Sequence, residues 1–200
     1  MSVENSPATS TMQKLLLEVK KCAVCADYIQ PKPILQLSAD SKIIIIGQAP
    51  GRIVHETGVP WNDKSGDNLR NWLGVDSTTF YDTNIFGLMP MGFCYPGTGK
   101  AGDLPPRPEC APLWHEKLLH ETKSVKLIIL IGQYAQDYYL KAKQKQTLTE
   151  TVKCFQEYLP DFFPLPHPSP RNNIWQAKNE WFKTEVLPEL KQGVQSILLH

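Results

Sequence analysis

Lys42-Ile43-Ile44-Ile45-Ile46-Gly47-Gln48-Ala49-Pro50-Gly51 is the stretch on which the fold turns. Four β-branched residues in a row, with no polar residue at alternate positions, do not suit a strand with one wet face. They read as a strand covered on both faces, as in a parallel sheet with helices on either side. The run ends in a Gly- and Pro-containing loop that neither helix nor strand accommodates. Lys126–Ile131 has the same character, 162–165 is a short strand candidate, and 79–86 (TFYDTNIF) is a plausible further strand. Amphipathic patterns between them predict helices over 11–21, 65–73, 112–122, 133–142, 149–158 and 173–194, the last interrupted at Pro188. Thr11 and Ser65 are candidate N-caps, and Gly74 suits a helix stop. Strands alternating with helices predict an α/β protein: three layers, α/β/α, around a central, mostly parallel four-stranded sheet.

The chain of 200 residues suits one domain over 1–200, with 1–10 a flexible N-terminus. Its 42% apolar and 20% charged content fits a globular protein. Seventeen prolines, clustered at 90–112 and 160–170, predict long stiff loops there. Lys plus Arg (21) nearly cancel Asp plus Glu (20), whereas DNA-binding proteins usually carry a basic excess. MSVENSPATS lacks the pattern of a signal peptide, and the apolar runs IIII and LIILI are too short to span a bilayer. A cytoplasmic monomer without membrane contact is the expectation. Five cysteines, an odd number, do not suit a disulfide framework.

Two unusual segments, GQAPG and HPSPRN, each follow a strand candidate, where parallel sheets bind their ligands. Gly47-Gln48-Ala49-Pro50-Gly51 resembles the first motif of the uracil-DNA glycosylase superfamily, and His167-Pro168-Ser169-Pro170 its second. Gly58-Val59-Pro60-Trp61 is similar to the segment whose aromatic stacks on the base, and Tyr81-Asp82-Thr83-Asn84 to the strand end that supplies a base-reading asparagine. The cysteines narrow the likeness. Cys22 and Cys25 form a C-x2-C pair, and fifteen residues separate Cys94 from Cys110. By spacing alone, four thiolates suit zinc, a [4Fe–4S] cluster or no metal at all. The arrangement resembles the iron–sulfur (family four-like) subgroup, which implies a [4Fe–4S] cluster with zinc as the alternative. Cys154 has no place in this pattern.

The resemblance implies a DNA glycosylase acting on uracil or another deaminated base in DNA, with base excision repair as its setting. Such chemistry needs a flipped base, a stabilised leaving anion and a tolerated oxocarbenium ion. Trp61 is the candidate stacking face, beside Ala49, and the amide of Asn84 is the candidate reader of the uracil edge. His167 is the candidate donor to the developing anion, an interaction of the oxyanion-hole kind worth about 3–4 kcal/mol. Pro50, Gly51, Pro168, Ser169 and Arg171 are candidate DNA contacts, with Arg171 where relatives insert a side chain into the gap left by the base. The family's acid is missing: relatives carry Asp at the position of Ala49 or Glu at that of Gln48. Gln48 can position a water but not accept its proton, so His55 or Glu56 is the expected base. Gly51 replaces a tyrosine that bars the thymine methyl in some relatives. A module that binds damaged DNA or a nucleotide without cutting is the second reading, and a metal-stabilised structural domain the third.

Overall fold

The computed structural model describes residues 10–100 and 102–199. The expected flexible segment 1–10 therefore lies outside them, except for Ser10. That residue, rather than Thr11, caps the first helix through a reciprocal pair with Gln13.

Four strands, β1 (Ile43–Ile46), β2 (Phe86–Leu88), β5 (Leu127–Ile131) and β6 (Phe162–Leu165), form one sheet in the order β2-β1-β5-β6, with every pairing parallel. A separate hairpin joins β3 (Thr98–Gly99) to β4 (Gly102–Asp103). The isoleucine run is wholly buried, as its composition demands. Ile43 and Ile45 enter one core with Leu69, Trp72, Phe182 and Leu190, whereas Ile44 and Ile46 enter another with Val19, Leu118 and Leu130. Alternation along one strand thus feeds two hydrophobic layers. Each such side chain contributes about 1.5–3 kcal/mol by leaving water.

Helices α3 (Lys64–Leu73) and α9 (Leu187–Leu199) cover the first face. Helices α1 (Thr11–Lys20), α5 (Cys110–Glu121) and α6 (Gln133–Leu140) cover the second. The chain passes from β1 to β2 on one side and then back across β1 to β5 on the other. The connections leaving the carboxyl ends of β1 and β5 therefore diverge to opposite faces, which opens a crevice at that switch point.

Several expectations needed correction. Residues 79–86 are not a strand: Ser77–Phe80 is a short helix, α4, capped by Asp76, whose side chain accepts from the Thr79 N–H (2.8 Å). Asp82 then accepts from the Asn84 N–H (2.9 Å), and this local turn delays the strand until Phe86. Helix α3 is capped by Asp63 rather than Ser65, while Gly74 ends it in a left-handed conformation as expected. The region 149–158 divides into α7 (Leu148–Lys153) and a 3-10 turn at Phe155–Tyr158. Over 173–194 the break falls between α8 (Asn173–Lys178) and the π-turn Phe182–Val186. Pro188 follows directly on that π-turn, whose wider bonding (the Leu187 N–H donates to the Phe182 carbonyl) accommodates a residue with no N–H in a helix that runs on without a break. Helix α2 (Arg52–Thr57) and the β3–β4 hairpin were not anticipated.

Candidate active site

The crevice is a cleft of about 640 Å³ at the carboxyl ends of the strands. Gln48, Ala49, Pro50 and Gly51 line it from the end of β1, and His167, Ser169, Arg171 and Asn172 from beyond β6. Trp61, Asp63 and Ser65 contribute from the approach to α3, and Gly102 and Asp103 from the hairpin.

His167 has its tautomer set by the chain itself. The Ser169 backbone N–H donates to its Nδ1 (3.2 Å), which leaves the proton of a neutral ring on Nε2. Burial pushes the imidazole below the ordinary histidine range, while the carboxylates of Asp63 and Asp103 pull the other way. The result is a neutral ring with one N–H to donate. The loop around it is pinned by side-chain amides: Asn172 donates to the His167 carbonyl (2.8 Å) and Asn68 to the Pro168 carbonyl (2.9 Å).

The Trp61 ring lies 5.9 Å from the His167 ring, tilted by 33°. Its backbone has φ +55, a conformation costly for a bulky residue, by about 1–3 kcal/mol. The surroundings enforce it. Arg70 donates to the Trp61 carbonyl (3.3 Å), and the Tyr81 hydroxyl donates to the Pro60 carbonyl (2.9 Å). Two close approaches then require glycine: a Cβ at Gly66 would collide with the Trp61 carbonyl, and one at Gly47 would lie 2.8 Å from Trp61 Cζ2. The indole is thus held against Gly47 at the end of β1.

Of the residues singled out from sequence, His167, Gln48, Ala49, Trp61, Pro50, Gly51, Ser169 and Arg171 all line the cleft. Three do not. Asn84 is exposed in the turn before β2, at the amino end of that strand and so at the opposite edge of the sheet. His55, on α2, packs against the Tyr95 ring (5.5 Å) with its Nδ1 buried and unpartnered, and Glu56 pairs with Arg52. Neither supplies a base to the cleft. Pro168 is buried beneath the loop it shapes. Sequence reasoning missed Asp63 and Asp103, two carboxylates in the cleft, because neither belongs to a recognisable motif.

A second cavity gathers Cys22, Cys25, Cys94 and Cys110, all half-buried and free of disulfides. The Phe93 backbone N–H donates to Cys110 Sγ (3.3 Å), and Arg107, paired with Glu109, lies 4.1 Å over the Tyr28 ring at its edge. Burial pushes the Cys110 thiol up to about 12 and also raises Cys25 and Cys94. Among the described residues, no group of three or more His, Cys, Asp or Glu is drawn close enough to hold a metal ion. All four cysteines nonetheless line this one cavity, a donor set of the kind that a cluster or a zinc ion takes. No helix among the described residues is long and apolar enough to cross a membrane.

A neutral, oriented histidine thus stands beside an aromatic ring in a switch-point crevice. A family model described as the uracil DNA glycosylase superfamily matches residues 35–191, which span β1 through the first turn of α9 and every residue of the cleft except Ile34. The chain belongs to the uracil DNA glycosylase superfamily.

Proposed function

We propose that this protein is a DNA glycosylase that cleaves the N-glycosidic bond of a flipped-out uracil, or a related deaminated base, and so initiates base excision repair. The observation that carries this reading is His167, with Nδ1 accepting from Ser169 and Nε2–H free to donate, beside the Trp61 ring. A base leaving the stack costs a few kcal/mol, which stacking on Trp61 offsets. As the glycosidic bond lengthens, negative charge grows on the base carbonyl, and the His167 N–H stabilises it most in the transition state. Ser169 and Arg171 sit at the rim, where a phosphate and the vacated stack would lie. A base reader at Asn84 has no part in this mechanism, because that residue is on the other side of the sheet.

Incubation with uracil-, hypoxanthine- and xanthine-containing oligonucleotides, read by release of free base and by alkali-labile abasic sites, tests the reading. Excision of at least one of the three is expected. Tight binding of such DNA with no base released would replace the enzyme by a binding module of the same fold.

For the second cavity we infer a [4Fe–4S] cluster held by Cys22, Cys25, Cys94 and Cys110. The gathering of four thiols on one cavity, in the pattern the iron–sulfur resemblance implies, and the N–H donated to Cys110 support it. Its role is structural: it joins the segment after α1 to the start of α5.

A further inference from the structure

Neither position 48 nor 49 holds an acid, yet the cleft does contain free carboxylate. Asp103 ends the β3–β4 hairpin, whose register places it opposite Thr98. Its Oδ2 rests against the backbone of Gly51, so closely that a Cβ there would lie only 3.3 Å away. The Gln48 amide donates to the carbonyl of the next residue, Leu104, over a long 3.4 Å. On the other flank, a Cβ at Gly102 would lie 3.3 Å from Arg171 Nη1. The hairpin is therefore a wall of the cleft, seated between the first motif and the rim arginine. Among the described residues the Asp103 carboxylate has no salt-bridge or hydrogen-bond partner, whereas Asp63 spends an oxygen capping α3 (2.9 Å to the Gly66 N–H).

We propose that Asp103 is the catalytic carboxylate of this site, and that Gln48 is a positioning residue that holds the hairpin over the first motif. The proposal rests on the glycosylase reading above. In the step it serves, the bond between the sugar C1′ and the base nitrogen breaks and its electron pair leaves with the base, whose charge His167 stabilises. A water oxygen bonds to C1′ and passes one proton to the Asp103 carboxylate. That proton goes on to solvent, and the departing base anion takes one from solvent, so the sum is hydrolysis. Before the water bonds, the same carboxylate stabilises the positive sugar ring.

The test is single-turnover excision from a uracil-containing duplex, with affinity measured separately on a 2′-fluorinated uridine duplex that resists cleavage. Asp103→Asn should slow excision by about 10²-fold or more while leaving affinity and melting temperature unchanged. Asp103→Glu should recover part of the rate. Gln48→Glu should lower the rate, since it removes the donor to Leu104 and sets a second negative charge beside Asp103. Full activity in Asp103→Asn, the whole loss appearing in Asp63→Asn instead, or a gain in Gln48→Glu would each overturn the assignment while sparing the glycosylase reading. Wild-type protein that releases no base from any of the three substrates would overturn both.

Discussion

Two histidines show how single side chains set the chemistry of the cleft and the stability of the fold. His167 owes its tautomer to one backbone amide, so its donor needs no proton from solvent. His115, on α5, does a different job: its Nε2 donates to the Pro90 carbonyl (3.1 Å) at the cleft end of β2, and its Nδ1 accepts from the Tyr139 hydroxyl (2.7 Å). Burial lowers the His115 ring to about 4, well under the ordinary value near 6.5. Between those two pH values the unfolded chain binds more protons than the folded one, so stability rises with pH through that window. The contribution is complete above pH 6.5 and lost as pH falls toward 4, a change of about 3 kcal/mol. The urea midpoint should therefore drop between pH 7 and 4.5, and His115→Gln, which cannot titrate, should flatten that drop. An equal pH dependence in the variant would assign the effect to other groups. Asp63 and Asp103 were illegible beforehand for the same reason that His115 was: an acid or a histidine acquires meaning only from what tertiary structure sets beside it.

Elements that obey strong local rules were legible, and those decided by competing local bonds were not. The isoleucine run, Lys126–Ile131 and the Gly74 stop follow from burial and backbone sterics alone. The turn at 81–85 went the other way, because Asp76 and Asp82 offer the backbone side-chain partners that outcompete a strand. That one shift moved Asn84 out of the site. The loop before α3 was readable only in part: Trp61 could be singled out, but not the Arg70 and Tyr81 clamp that enforces its strained backbone. This clamp predicts a specific sensitivity. Gly66→Ala should cost about 2–4 kcal/mol and slow excision, because the new methyl displaces the Trp61 carbonyl. Gly193→Ala, in α9 with open space around it, should instead be neutral or stabilise by about 0.5–1 kcal/mol. A comparable small gain in both variants, measured by urea denaturation, would show that helix propensity rather than the Trp61 contact governs position 66.

Across the whole molecule, the sheet places the chemistry at one edge and the cysteine cavity joins segments distant in sequence. Purified anaerobically, the protein should show broad visible absorption, with iron and sulfide in cluster stoichiometry. Cys110→Ala should abolish that absorption and lower the melting temperature more than it changes the excision rate per folded molecule. Colourless protein with one equivalent of zinc would assign the four thiols to a zinc site instead. The net charge of +1 is distributed so that the cleft mixes Arg52 and Arg171 with Asp63 and Asp103, so specificity has to come from the base pocket more than from bulk attraction to phosphate. The central claim, that His167 stabilises a departing base, is tested most directly by the single-turnover rate of His167→Ala on a uracil-containing duplex. Expected is a fall of about 10²–10³-fold with unchanged affinity, since the bond matures only in the transition state. A rate equal to that of the wild type, or a loss that appears wholly in affinity, would contradict it.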